Sequence, residues 1–220
     1  MSASRGASAH AKGNSRERAV AKLLTKWTGE RVMRTLSSGA GGTRAVDEIR
    51  MTGDLFFPLG SKNPFSYEIK DHATTKLNQV FNNNGDIPDF FEQAVTDCRR
   101  VEKYGFNPML IFHISRETDY VLTMYNDNLY TDLFKNNLKF SSQWTSFEEK
   151  RLNTINKCHT ILTTLPELMK LNYLDVFSYY SDDSYSWEDQ VVKDKIKDNS
   201  VEKTFDDIDS LLKADKEGKL

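Results

Sequence analysis

Two short apolar runs, Gly53-Asp54-Leu55-Phe56-Phe57 and Phe65-Ser66-Tyr67-Glu68-Ile69-Lys70, lie one short loop apart and constrain the chain more than any other feature. A strand sends successive side chains to opposite faces. Glu68 and Lys70 therefore leave the second run on one face, and Tyr67 and Ile69 leave on the other, toward a core. Asp54 stands at the start of the first run. If the two runs pair as a hairpin, Asp54 comes beside Glu68, and two carboxylates and one ammonium converge on one spot. Carboxylate oxygens suit a hard cation such as Mg²⁺. Such a cation activates water and neutralises phosphate charge, and an ammonium orients that water or stabilises a developing oxyanion. The set suits phosphodiester hydrolysis. A Glu-x-Lys pair on a solvated strand face is the competing reading.

The surroundings sharpen the choice. Ala19, Val20, Leu23, Leu24 and Trp27 recur at helical spacing, which predicts an amphipathic helix capped by Asn14 or Ser15. Glu17 then falls in the first turn, where a carboxylate complements the helix dipole. Thr35 to Arg44 is rich in small residues and reads as a flexible loop. Asp89 to Arg100 predicts a second helix, led in by Ile87-Pro88 and ended at Tyr104-Gly105. Pro108 to Ile114 reads as a buried strand and Asp119 to Tyr125 as the next.

This order resembles the archaeal-type Holliday-junction resolvases and their phage relatives, within the PD-(D/E)xK nuclease superfamily. Gly13 to Arg18 is similar to their Gly-x-x-x-Glu-Arg helix start, and Arg34 with Ser37-Ser38-Gly39 to their Arg and Ser-Gly loop. Asp54 and the Glu68-x-Lys70 pair match the catalytic strands. Phe91-Glu92-Gln93-Ala94 matches an aromatic-x-Glu-Gln-Ala helix, and Pro108 to Phe112 the following strand. The resemblance covers roughly residues 12–126. It implies an α/β restriction-endonuclease-like fold, a central mixed sheet flanked by helices, and a metal-dependent DNA endonuclease acting on branched DNA such as four-way junctions. Asp54, Glu68 and the Ile69 carbonyl would hold Mg²⁺ or Mn²⁺, with Glu17 completing the metal shell or holding its water. Lys70 would position water, Gln93 would orient the nucleophile or Lys70, and Ser38, with Ser37 as rival, would contact the scissile phosphate. Arg16, Arg18, Arg34 and Arg44 would contact other phosphates. Two symmetric incisions in a junction imply a homodimer. Asp47 rivals Asp54 for the catalytic aspartate, because the segment before Asp54 is longer than the family pattern. Competing functions are a same-fold nuclease for nicked, flap or duplex DNA, and a non-catalytic DNA-binding or assembly protein.

At 220 residues with 38% hydrophobic content, the chain suits one domain with an extension, or two small ones. The expected organisation is a flexible tail over 1–11, a nuclease core over 12–130, a helical extension over 131–180 and an acidic linker and tail over 181–220. Within the extension, Asp132 to Leu138 reads as a short helix. Thr145-Ser146-Phe147-Glu148 reads as a capping box opening a helix to about Leu165, and Leu168 to Tyr180 as a further helix. The tail's Phe205, Ile208, Leu211 and Leu212 form a narrow stripe that could dock on a protein partner or on the nuclease body, against the plainer reading of a poorly ordered acidic tail. No apolar run spans a bilayer, no signal core is present, and Cys98 and Cys158 read as reduced buried thiols, so a cytoplasmic setting is expected. Net charge is −2, yet the first fifty residues are basic and the last forty acidic, so a local basic face remains available for phosphate. His72, two residues past Lys70, reads as a partly exposed bystander.

Overall fold

The computed structural model describes residues 5–35, 53–101, 105–149 and 152–195. The Ser-Gly loop with Ser37 and Ser38, Arg44, Asp47 and the apolar stripe of the tail lie outside the described residues.

Helix α1 (Arg5–Thr28) runs through Asn14 and Ser15 instead of starting there. Ala7, Ala9 and Ala11 are strong helix formers upstream of the expected cap, so nothing stops the helix at Asn14. Gly29, with φ of +72°, ends it, its N–H donating to the Thr25 carbonyl at 2.9 Å. Strand β1 (Met33–Arg34) pairs antiparallel with β2 (Leu55–Phe56). The main sheet begins with β3 (Phe65–Asp71). A short helix α2 (Asn78–Asn82) and the longer α3 (Asp86–Arg100) connect β3 to β4 (Asn107–His113), which pairs parallel with it. Strand β5 (Asp119–Met124) and the later strands add antiparallel, so the sheet is mixed.

The sheet separates two apolar clusters. On one side α1 and the C-terminal helices bury Val20, Leu24, Tyr67, Ile69, Met109, Ile111 and Phe177. On the other, α3 buries Ile87, Phe91 and Val95 against Leu110, Phe112 and Leu122. Strand β4 lies between both layers, which is why Pro108 to Phe112 is apolar without alternation.

The helical extension expected over residues 131–180 is overturned in its middle. Helix α4 (Asp127–Lys135) is capped by Asn126. The predicted helix from Thr145 is instead β6 (Phe140–Glu149) and β7 (Thr154–Thr164), joined by a turn with Asn153 at φ of +51°. The strand order is β3-β4-β5-β7-β6, so this hairpin belongs to the central sheet. Thr154, Ile155, Thr160, Ile161 and Thr163 are β-branched, and Cys158 and Leu162 alternate with Ile161 onto opposite clusters. The same apolar positions satisfied a helical period, and β-branching decided against it. Pro166 sits in the first turn of α5 (Leu165–Leu168), whose cap is Thr164, and α6 (Tyr173–Ser181) follows.

The linker expected from residue 181 is also overturned as far as Lys195. Trp187 is buried and donates from Nε1 to the Phe106 carbonyl at 2.9 Å. Strand β8 (Val191–Lys195) pairs with β7. The Arg99 guanidinium ties this return to α3 and β6. It donates to both carboxylate oxygens of Glu188 at 3.0 and 2.8 Å and to Glu149 at 2.7 Å. Both cysteines are free and buried. No helix among the described residues is long and apolar enough to cross a membrane.

Arg99 is half-buried between two carboxylates, so Arg99→Ala takes the guanidinium from both and leaves Glu188 to Lys193 and Glu149 to Asn156. It is expected to lower unfolding free energy by about 2–3 kcal/mol in urea titration. Lys157→Ala, which breaks an exposed pair with Asp194, should change it by less than about 0.5 kcal/mol. Truncation before Glu188 should destabilise at least as much as Arg99→Ala, since it removes β8 as well.

Candidate active site

Asp54 does not reach β3 through a hairpin. Strand β2 is occupied by β1, and the Thr35 N–H donates to the Asp54 carbonyl at 2.9 Å. The contact is instead an isolated parallel bridge between Gly53 and Tyr67. The Asp54 N–H donates to the Tyr67 carbonyl at 2.7 Å, and the Ile69 N–H donates to Asp54 Oδ2 at 2.8 Å. The aspartate thus takes the next edge amide of β3 with its side chain. Gly53 makes this approach possible. Its φ is +76°, and a Cβ there would stand 2.5 Å from the Tyr67 carbonyl oxygen and 2.8 Å from Ser66 Oγ.

The alternation expected along β3 holds. Tyr67 and Ile69 enter the α1-side core, and Glu68 and Lys70 emerge on the α3 side. Glu68 is 3% exposed and Asp54 7%. The Lys70 ammonium pairs with Glu68 and donates to Gln93 Oε1 at 2.9 Å, and it lies 5.3 Å from the centre of the Phe90 ring. Helix α3 supplies both Phe90 and Gln93. From α1, Glu17 is buried and ion-paired with Arg34 of β1.

The electrostatics are unfavourable to two bare carboxylates. Burial raises the Asp54 pKa, and the charge of Glu17 adds to this against the opposing Ile69 N–H and Lys70. Burial raises that of Glu68 further, with Asp54 the next cause and Lys70 opposing. The set of Asp54, Glu68 and the adjacent main-chain carbonyl of Ile69 consists of hard oxygen donors, which suits Mg²⁺ or Mn²⁺. Among the described residues, no three or more His, Cys, Asp or Glu side chains gather into a metal cluster, so a cation here would draw on the two carboxylates, backbone oxygen and water.

Of the predicted residues, Glu17, Asp54, Glu68, Lys70 and Gln93 come together. Two of the arginines are engaged internally. Arg34 neutralises Glu17, and Arg16 bridges Asp71 at 3.4 Å and Asp119 at 3.2 Å. Neither is a free cation for phosphate, whereas Arg18 is exposed. Asp97 was missed. It stands one helical turn after Gln93 on α3, its pKa is raised chiefly by burial, and its charge acts on both Asp54 and Glu68. The i,i+4 spacing from Gln93 was the available signal.

The family described as Phage putative PDDEXK endonuclease matches residues 8–178 of the chain. Comparison with curated proteins and with solved structures gives no significant match.

Raised carboxyl pKa values fix the sign of a pH effect. Between the unfolded and folded pKa values the folded state holds more protons, so stability falls as pH rises through that window. Without metal, the melting temperature of the wild type should decline from pH 5 to pH 9. Glu68→Gln should remove part of that decline and melt about 3–6 °C higher at pH 8. Added Mg²⁺ or Mn²⁺ should raise the wild-type melting temperature and leave Glu68→Gln unmoved.

Proposed function

The chain belongs to this phage PDDEXK endonuclease family, and from that premise we propose that it is a divalent-metal-dependent DNA endonuclease that resolves branched DNA. The observation that carries the reading is the buried pair of Asp54 and Glu68, both with raised carboxyl pKa values, beside Lys70. Two buried carboxylates on a DNA-binding scaffold serve no purpose for a pure phosphate binder, which argues against the non-catalytic alternative.

When bound, the cation supplies Lewis-acid neutralisation of the scissile phosphate and acidifies water. Asp54 and Glu68 would hold it, with the Ile69 carbonyl beside them. Asp54 is fixed by the Ile69 N–H, so its remaining oxygen is aimed without loss of side-chain freedom. Lys70 holds the attacking water and stabilises charge in the transition state. Gln93 fixes the ammonium of Lys70 in place. Glu17, held by Arg34, would support the metal shell from α1. Arg18, and Arg44 and Ser38 beyond the described residues, are the phosphate contacts. Arg16 and Arg34 are reassigned from phosphate contacts to anchors of the site. Water attack with departure of the 3′ oxygen leaves a 5′-phosphate and a 3′-hydroxyl. Two symmetric incisions across a four-way junction require a homodimer.

A cleavage panel of four-way junction, flap, nicked and linear DNA, with and without Mg²⁺, tests the proposal. Paired, near-symmetric, ligase-sealable cuts in the junction are expected. Equal or faster cutting of linear duplex would defeat branch selectivity and leave the nuclease reading standing. Asp54→Asn and Glu68→Gln should each lower the cleavage rate by about 10³-fold or more with DNA binding retained, and Asp47→Asn should keep most activity. If Asp47→Asn abolishes cutting and Asp54→Asn does not, the aspartate is misassigned.

A further inference from the structure

Beyond Lys70 the alternation of β3 continues onto a residue that the proposed reaction does not use. His72 follows the strand and, like Glu68 and Lys70, emerges toward α3. Its ring meets the Phe90 ring edge-on, with centroids 5.9 Å apart and planes at 81°. The same Phe90 ring carries the Lys70 ammonium at 5.3 Å. Lys70 and His72 are thus placed on one aromatic platform supplied by α3.

His72 is also oriented. Its Nδ1 lies 3.2 Å from Asp86 Oδ2 and 3.0 Å from Thr74 Oγ1, and the Thr74 hydroxyl donates to that same Asp86 oxygen. The hydroxyl hydrogen is therefore committed to Asp86. Both neighbours of Nδ1 are acceptors, which places a proton on Nδ1 and fixes the ring plane. The side chain is 61% exposed, and Nε2 has no hydrogen-bond partner among the described residues. A carboxylate holding one imidazole nitrogen while the other stays open to solvent is the arrangement of an oriented acid or base.

The reaction lacks such a group on its leaving side. In-line displacement places the attacking water and the departing 3′ oxygen on opposite sides of phosphorus. The group that holds the water and the group that protonates the leaving oxygen then stand roughly 9 Å apart, two hydrogen bonds plus the O–P–O axis. Lys70 and His72 stand 5.3 and 5.9 Å from the centre of the Phe90 ring, so the geometry allows a span of that order between them.

We propose that His72, held by Asp86 and Thr74, is the general acid that protonates the departing 3′ oxygen. This rests on the nuclease reading above. In the step, the water oxygen bonds to phosphorus as the phosphorus–O3′ bond breaks. The bonding pair leaves with O3′, and the Nε2 proton of the imidazolium passes to it, giving the 3′-hydroxyl. The water's proton is released to solvent, and solvent reprotonates the neutral imidazole.

The test uses the full chain in single-turnover cleavage of the panel DNA that the wild type cuts best. That DNA carries at the mapped incision either the natural 3′ oxygen or a bridging 3′ sulfur, whose thiolate departs without a proton. His72→Ala should slow cutting of the oxygen substrate by about 10²-fold and that of the sulfur substrate by less than about 3-fold. Asp86→Asn, which loosens the ring and leaves it in place, should show a smaller loss, about 10-fold, with the same erasure by sulfur. Comparing the two substrates on one protein sample separates acid catalysis from loss of folded enzyme, which slows both alike. Equal slowing on both substrates, in a variant that melts as the wild type does, overturns the assignment. So does an undiminished rate on the oxygen substrate. A wild type that cuts neither DNA defeats the nuclease reading itself, and the acid assignment with it.

Discussion

The bond from the Ile69 N–H to the Asp54 carboxylate is the contact on which the site depends. It replaces a ladder bond at the edge of β3 with a side chain, and so brings a second carboxylate against Glu68. It forms only because Gly53 lets two backbones approach more closely than a Cβ permits. A larger residue at position 53 would push the Asp54 segment away from Tyr67, separating Asp54 from the strand that holds Glu68 and Lys70. Packing of Phe57 against Tyr67, with centroids 5.6 Å apart, holds the segment from below.

Convergence of these groups is opposed by their own charge. Burial raises both carboxyl pKa values, with the charge of Glu17 adding to the shift of Asp54 and that of Asp54 to the shift of Glu68, and one ammonium opposes both. The fold stabilises the arrangement from elsewhere, through β4 buried on both sides and the aromatic packing around Phe177. The arginines of α1 and β1 belong to the same balance. Arg34 holds Glu17 and Arg16 holds Asp71 and Asp119, so the basic N-terminal segment is partly spent inside the molecule. A function that binds a cation at this spot turns the repulsion into affinity.

The C-terminal third is part of the same sheet. Hairpin β6–β7 extends it, and β8 closes over β7 with Trp187 in the α3-side core. Arg99 leaves α3 on a different face from Gln93 and Asp97 and fastens this closure. The helix that presents Gln93 is thereby fixed at its far end as well.

Glu17, Asp54, Glu68, Lys70 and Gln93, which the fold brings together, were legible in the chain because each carries a local signature, whereas Asp97 was not. Strand alternation puts Glu68 and Lys70 on one face, helical spacing marks α1 and α3, and an apolar run marks β4. What periodicity left undetermined was pairing. Asp54 reaches β3 by a glycine-dependent parallel bridge and not by a hairpin, and nothing local distinguishes the two. Thr145 to Thr164 satisfies a helical and a strand period at once, and only an open place beside β5 makes it a hairpin. Arg16 and Arg34 look like free cations until Asp71, Asp119 and Glu17 are brought to them from far along the chain. The sequence by itself determined which side chains are available and which faces they leave from, since 3.6-residue and 2-residue periods are properties of the local backbone. The tertiary structure alone decided which charges meet, because ion pairs and edge bonds depend on distances that chain separation does not encode.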